Sequence, residues 1–406
     1  MIDLIVVGAG IMGSAAARHA ALAGASVLII GEPEPTSPSQ HNGLFGAWHD
    51  VSRLASRLHG DPDDAELSRR AMLGIAELEA GGAEQILSPV GYLYTAAPGF
   101  DTPMRQRLAA PSGLDIETLS ADQLHQRYTN MSFGPNVSGY FEPSPSGYLN
   151  PRRLVQAQLA AAVAAGATLR RETAQGVELT ATGVVVRAGG HDYSAARAVL
   201  CTGAFSNTTA FLPRPLALRL KTETVLLSEL TEASAAQYVQ MPVVHYEIDS
   251  PTIASIYCVP PITMPDGKRL MKFGANSRHD VEVNTDAVAN WYQSGPSDQA
   301  LGDMGQACQA MFPGLEAVDS HTARCVITYT PNRNPIIDTL VEGRLFAAIG
   351  GNGHSAKWCD GIGGLAASLA LHGTWVDPTI GPDRFRAQFA DQPQQWDLAK
   401  LVSERE

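Results

Sequence analysis

Little in this chain points away from an ordinary soluble globule. No apolar run reaches the ~20 residues needed to span a bilayer. The five cysteines (Cys201, Cys258, Cys308, Cys325 and Cys359) are scattered and odd in number. That excludes a disulfide framework and a spaced metal-ligand set, so no metal is expected. Basic residues are in the minority, 29 Lys and Arg against 41 Asp and Glu, giving a formal net charge of −12. The balance argues against nucleic acid or an anionic membrane as partner. There is no internal repeat and no low-complexity tract. The first residues already read as a strand, which leaves no place for a signal peptide in front of it, and reduced thiols suit a cytoplasmic setting. With 406 residues, the chain exceeds what one core holds, and two domains are expected.

What is present begins at once. The apolar run Leu4 to Val7 reads as a buried strand, Gly13 to Leu22 as a helix packed close to it, and Ser26 to Ile30 as a second strand. Between strand and helix stands Gly8-x-Gly10-x-x-Gly13, the dinucleotide fingerprint. Gly8 allows the turn, Gly10 lets backbone approach a pyrophosphate, and Gly13 lets helix and strand touch. The exposed N–H groups around Ile11 and Met12, at the positive end of the helix, would hold the phosphates. An acid to bind the ribose belongs at the end of the second strand. Gly31 occupies that place, so Glu32 is the expected ribose ligand, with Glu34 following.

The remainder alternates between two characters. Residues 34–42 read as a loop, Asp61 to Ala80 as a helix, and Val90 to Thr95 as a strand opening a different region. Helix Leu154 to Ala165 and strands at Thr168 to Arg171, Gly183 to Ala188 and Ala198 to Leu200 return to α/β character. They end in the turn Cys201-Thr202-Gly203. A β-rich excursion follows (Thr222 to Leu227, Ile253 to Val259, Leu270 to Phe273), with a helix at Asp298 to Met311. Strand Leu345 to Ile349, the turn Gly350-Gly351-Asn352-Gly353-His354 and helix Gly361 to Leu371 close the chain. The expected fold is α/β: a Rossmann-like domain of the glutathione-reductase type over residues 1–82, 149–217 and 325–392. A β-rich α+β substrate domain interleaves with it over 83–148 and 218–324, and 393–406 forms a fraying tail. Glycine turns near 8, 203 and 350 suggest one large, extended cofactor touched by several segments, which is FAD.

Cys325-Val326-Ile327-Thr328-Tyr329-Thr330-Pro331, Ile336-Ile337-Asp338 and Gly350-x-x-Gly353-His354-x-x-Lys357 resemble the monomeric sarcosine oxidase and N-methyltryptophan oxidase family. These are flavoprotein amine oxidases of the D-amino-acid-oxidase-like superfamily, and with the fingerprint the resemblance spans nearly the whole chain. It implies FAD bound covalently through Cys325, by a thioether to the flavin 8α-methyl carbon. A thiolate there needs nearby positive charge, which Arg324 or the Arg53 region could supply. Thr202, Gly203, Gly351, Gly353 and His354 are expected along the cofactor.

The same resemblance assigns the chemistry. Lys272 matches the lysine that activates oxygen, where a fixed cation stabilises the charge that oxygen gains. Arg53 and His49 match groups near the flavin ring, and Tyr257 an active-site tyrosine. Lys357 matches a lysine that contacts the substrate carboxylate. The family's second carboxylate-pairing arginine falls at Ser56, with Arg57 beside it, so a bidentate clamp is lost or moved by one residue. Asn276 replaces a histidine. Trp358 resembles a residue of cyclic imino-acid oxidases and could stack on a ring substrate. The expected activity is oxidation of a secondary amine, cyclic imine or amino acid by hydride transfer to FAD, with oxygen returned as hydrogen peroxide. A monomer is implied. A dehydrogenase of the same fold, a non-catalytic flavin protein and a nicotinamide enzyme are the alternatives.

Overall fold

Strand β1 (Ile2–Val7) buries Leu4, Ile5, Val6 and Val7 almost completely. Covered on both faces, it reads as a continuous apolar run instead of an alternating one. Helix α1 (Ile11–Leu22) and strand β2 (Val27–Ile30) complete the expected unit, and β2 runs parallel to β1. The structure, a computed structural model, describes residues 2–35, 41, 43–98, 114–208, 210–248, 250–295, 297–394 and 396. The expected loop over 34–42 and tail over 393–406 therefore lie largely outside the described residues.

β1 sits inside an eight-stranded sheet. Ala174–Leu179, Val184–Ala188 and His191–Leu200 lie on one side of it, and β2 and Thr168–Arg170 on the other. Leu345–Ile349 adds in parallel beside His191–Leu200, and Ile336–Val341 pairs with it. Helix α2 (Pro62–Ala80) starts where Asp61 caps the N–H groups of Asp63 and Asp64 and Pro62 takes the first position. Helix α3 (Pro151–Ala164) is capped the same way by Asn150. Helix α4 (Ser355–His372) begins at Ser355, not Gly361 as expected. The glycines inside it serve packing: a side chain at Gly363 would come within 2.4 Å of the Ala15 Cβ. That absence lets α4 lie directly on α1.

The β-rich excursions build a nine-stranded sheet. Its chemistry lies on β3 (Arg219–Leu230), β4 (Ile253–Thr263), β5 (Arg269–Ser277) and β6 (Ala317–Tyr329). Each strand runs longer than its apolar segment suggests, because it continues through polar residues on the cleft side. β3 lies between β6 and β5, and β5 pairs with β4, all antiparallel. The register aligns Glu223 with Cys325, Val225 with Gly274, Gly274 with Tyr257, and Lys272 with Val259. Alternation then sorts the side chains into two faces. Leu226, Ile256, Cys258, Met271 and Phe273 pack with Tyr238, Met304, Cys308 and Met311 from the helices behind. Glu223, Cys325, Tyr257 and Lys272 occupy the opposite face. The border expected between residues 324 and 325 falls inside β6, which runs unbroken through both. A small three-stranded sheet (Arg53–Ala55, Leu87–Ser88, Gly147–Leu149) holds Arg53 over this face. Among the described residues no helix is long and apolar enough to cross a membrane.

Candidate active site

The fingerprint turn forms a cradle. Gly10 caps α1 without a side-chain acceptor, so the first N–H groups of the helix, including those of Ile11 and Met12, point outward unsatisfied by any cap. A side chain at Gly13 would strike the Gly8 carbonyl at 1.8 Å, and one at Gly351 would reach the Met12 methyl at 2.9 Å. The amino-terminal and carboxyl-terminal glycine turns thus lie side by side. The Cys201-Thr202-Gly203 turn joins them, since the Cys201 carbonyl lies against Gly8. Thr202 shares a hydroxyl contact of 2.9 Å with Ser206. Just past β2, the Glu32 carboxylate takes the Thr173 hydroxyl and the Leu44 N–H. Glu34 is committed to Arg152 at 2.6 Å.

Beyond the cradle, residues 46–53 meet the polar face of the nine-stranded sheet. Gly46, Ala47, His49, Asp50, Arg53, Tyr292 and Cys325 all line a cleft there. Arg53 Nη2 donates to the Ala47 carbonyl at 2.9 Å and stands 3.6 Å from Cys325 Sγ. Lys272 is fully buried; its Nζ donates to Asp50 at 2.5 Å and to the Ser52 carbonyl at 2.8 Å. Burial, with Arg53 nearby, pulls Lys272 well below the ordinary lysine range, while the Glu223 carboxylate works the other way. Asp50 also contacts Arg53 directly. The Tyr257 ring lies 5.4 Å from Lys272 Nζ and directly across Gly274, where a Cβ would come within 2.1 Å of it. Burial holds the Tyr257 phenol above its usual range, so it stays neutral. His49 is pulled down to about 4 by burial and by Arg152 and His41, and is uncharged at neutral pH. Its Nδ1 accepts from the Gly46 N–H at 3.4 Å.

A second polar group lies toward α4. The Glu142 carboxylate, 1% exposed, accepts the Ser56 hydroxyl at 2.7 Å and the N–H groups of Arg57 and Leu58. The Arg57 guanidinium also binds it, at 3.3 Å. Lys357 projects from the first turn of α4, and burial draws it down to about 8, with Asp64 and Glu142 opposing. His354 is likewise pulled well below its usual value by burial and by Lys357.

Two expectations change. Arg324 does not serve the Cys325 thiol. Adjacent residues in a strand face opposite sides, and the Arg324 guanidinium donates to Gly295 and Thr224 and lies 4.1 Å over the Trp291 ring. The charge beside the thiol is Arg53. Trp358 does not offer a ring to the cleft: it is 1% exposed, with its ring centre 4.7 Å from that of His354. Its helical position turns it into the core. Asp50, Glu142 and Glu223 escaped the sequence reading. Asp50 and Glu223 each stand next to or opposite a residue that was singled out, which was the available signal.

Residues 3–369 match the FAD dependent oxidoreductase (DAO) family, and the chain belongs to that family. It is an FAD-dependent oxidoreductase of the amine and amino-acid oxidase type. Monomeric sarcosine oxidase of Bacillus sp. (strain NS-129) is 26% identical over 377 residues, covering 91% of this chain and 93% of that protein. N-methyl-L-tryptophan oxidase of Yersinia pestis (strain Pestoides F) is 25% identical over 382 residues, covering 91% and 94%. In fold the chain is similar to NikD, an unusual amino acid oxidase essential for nikkomycin biosynthesis, with TM-score 0.75 at 19% identity over 96% of this chain and 98% of that one. It is also similar to L-proline dehydrogenase from P. horikoshii, with TM-score 0.72 at 15% identity over 95% and 97%. The uncapped N–H groups of α1, the side-chain-free cradle and Glu32 past β2 fit the elongated FAD.

Proposed function

We propose that this protein oxidises a secondary amine, cyclic imine or amino acid at the carbon beside nitrogen and passes the electrons to oxygen, releasing hydrogen peroxide. The reading is carried by one sheet face that presents Cys325, Lys272 and Tyr257 to Arg53 across the cleft. When bound, FAD supplies the two-electron acceptor. Arg53 sets a guanidinium 3.6 Å from the Cys325 sulfur, the atom that would form a thioether to the cofactor. Making that bond would remove two electrons and two protons, for which oxygen would be the acceptor. Gly8, Gly10, Gly13, Glu32, Thr202, Gly203, Gly351 and Gly353 hold the extended part. Lys272 sets its Nζ in a site closed to water, where charge on oxygen would develop. Tyr257 and His49, both neutral, can orient a substrate without competing for its charge.

Carboxylate recognition differs from a two-armed clamp. Ser56 and Arg57 are spent on Glu142, which leaves Lys357 as the cation for a substrate carboxylate. Activity in air toward sarcosine, N-methyl-L-tryptophan, L-proline, glycine and iminodiacetate, read as peroxide release, tests the reaction. Flavin that stays with acid-precipitated protein, and is lost from Cys325→Ser, tests the link. A second reading, a dehydrogenase with another acceptor, draws support from Asp50, whose carboxylate 2.5 Å from Lys272 cancels its charge. Anaerobic dye reduction by the same amines without peroxide in air would favour it.

A further inference from the structure

The cleft face of β3 carries a carboxylate that neither cofactor attachment nor oxygen activation uses. Glu223 is 8% exposed and aligned with Cys325 on the neighbouring strand. It lies in the field of Lys221, Arg53 and Lys272, and of Asp280. Those cations already have acidic partners. Lys221 holds Asp280 at 2.7 Å and the Asn276 amide oxygen at 3.3 Å. Asp50 contacts both Arg53 and Lys272. The Glu223 carboxylate makes no hydrogen bond among the described residues. The Tyr257 and Tyr329 phenols, its other titratable neighbours on the sheet besides Cys325, are held above their usual range by burial and are neutral. Burial raises Glu223 above the usual carboxylate range, with Lys221 opposing, which makes it a stronger proton acceptor than an exposed carboxylate.

A bound amine poses a matching problem. Near neutral pH it is an ammonium without a lone pair, whereas oxidation at the adjacent carbon needs the neutral nitrogen. Resting on the amine-oxidation reading above, we propose that Glu223 is the base that accepts the ammonium proton of the bound substrate. The N–H bond breaks, its electron pair stays on nitrogen as the lone pair, and the proton forms an O–H bond on Glu223. No redox change occurs in this step. The carboxyl becomes neutral, which makes the field around Lys221 and Arg53 one charge more positive. That surplus favours an anionic substrate carboxylate.

The test uses FAD-loaded protein, the amine panel above and anaerobic flavin absorbance from pH 6 to 8. In the wild type the apparent Kd of the reducing amine stays flat with pH. Glu223→Gln can take only the neutral amine, so its Kd rises tenfold for each unit the pH falls. Parallel profiles in the two proteins would overturn the inference and leave amine oxidation standing. No reduction by any amine would overturn both. A second measurement needs only the wild type: an indicator dye in weak buffer, mixed with the amine. The base keeps the proton, so none is released before reduction. One proton released per flavin in that phase would sink the proposal, even if Glu223→Gln failed to load FAD.

Discussion

Asp360→Asn probes a buried charge network that registers the cofactor cradle with the first turn of α4. Arg18 of α1 donates to Asp360 at 2.7 Å, Gln158 of α3 donates at 3.0 Å, and His19 lies at 3.1 Å. Arg18 also reaches Glu77 of α2 at 2.7 Å, but that side chain is 69% exposed. Asparagine matches aspartate in shape, so no cavity opens; what disappears is the charge facing a buried guanidinium. Removing one partner of a buried pair costs about 3–5 kcal/mol. The surviving amide oxygen and Glu77 put the expectation near the low end, about 3 kcal/mol. Urea unfolding of the FAD-loaded protein measures it. Adding Arg18→Met removes the stranded cation and should recover at least half of the loss. A cost below about 1 kcal/mol, the range of an exposed pair, would refute the account. The pH dependence has a definite sign. Burial pushes Asp360 up, but His19, Gln158 and Arg18 together hold it below the ordinary value. A lowered carboxyl contributes stability that is present above the unfolded value of about 3.9 and is lost as the pH falls through the folded one. Wild type and variant should therefore converge in strong acid.

Lys272→Met should slow flavin reoxidation by oxygen at least tenfold while leaving anaerobic reduction within threefold; equal effects in stopped-flow would count against its role. Because Lys357 titrates at about 8, carboxylate-bearing substrates should bind best below that pH and lose about tenfold per unit above it. Lys357→Met should abolish that alkaline limb in KM. Gly274→Ala would drive a methyl into the Tyr257 ring and should cost about 1–3 kcal/mol, read by thermal unfolding, with a raised KM from the displaced ring. A silent variant would mean that Tyr257 has room to move.

The first βαβ unit was legible because its glycines answer local demands, which one segment declares by itself. The helix expected near Asp298 to Met311 forms there, with Ser297 capping its start. The β-strands were found but cut short, because Lys221 looks like a loop residue until a cleft gives it a side to face. The charged network was not legible. Asp50 meets a lysine 222 positions away, and Glu142 meets Ser56 across 86. Nothing in either neighbourhood states those pairings. Arg324 is a different case: strand alternation alone places it away from Cys325, and only its adjacency in sequence suggested otherwise.

The pairing of β6 with β3 runs from Tyr329 opposite Arg219 to Ala317 opposite Leu230. A slip by one residue would turn every side chain of β6 over, carrying the thiol into the oily layer beneath the sheet, out of reach of its arginine. Under the proposed tether, such a molecule could never acquire its colour. Covalent loading would then act as an inspection of strand alignment, and the yellow fraction of a preparation would count the chains that folded true.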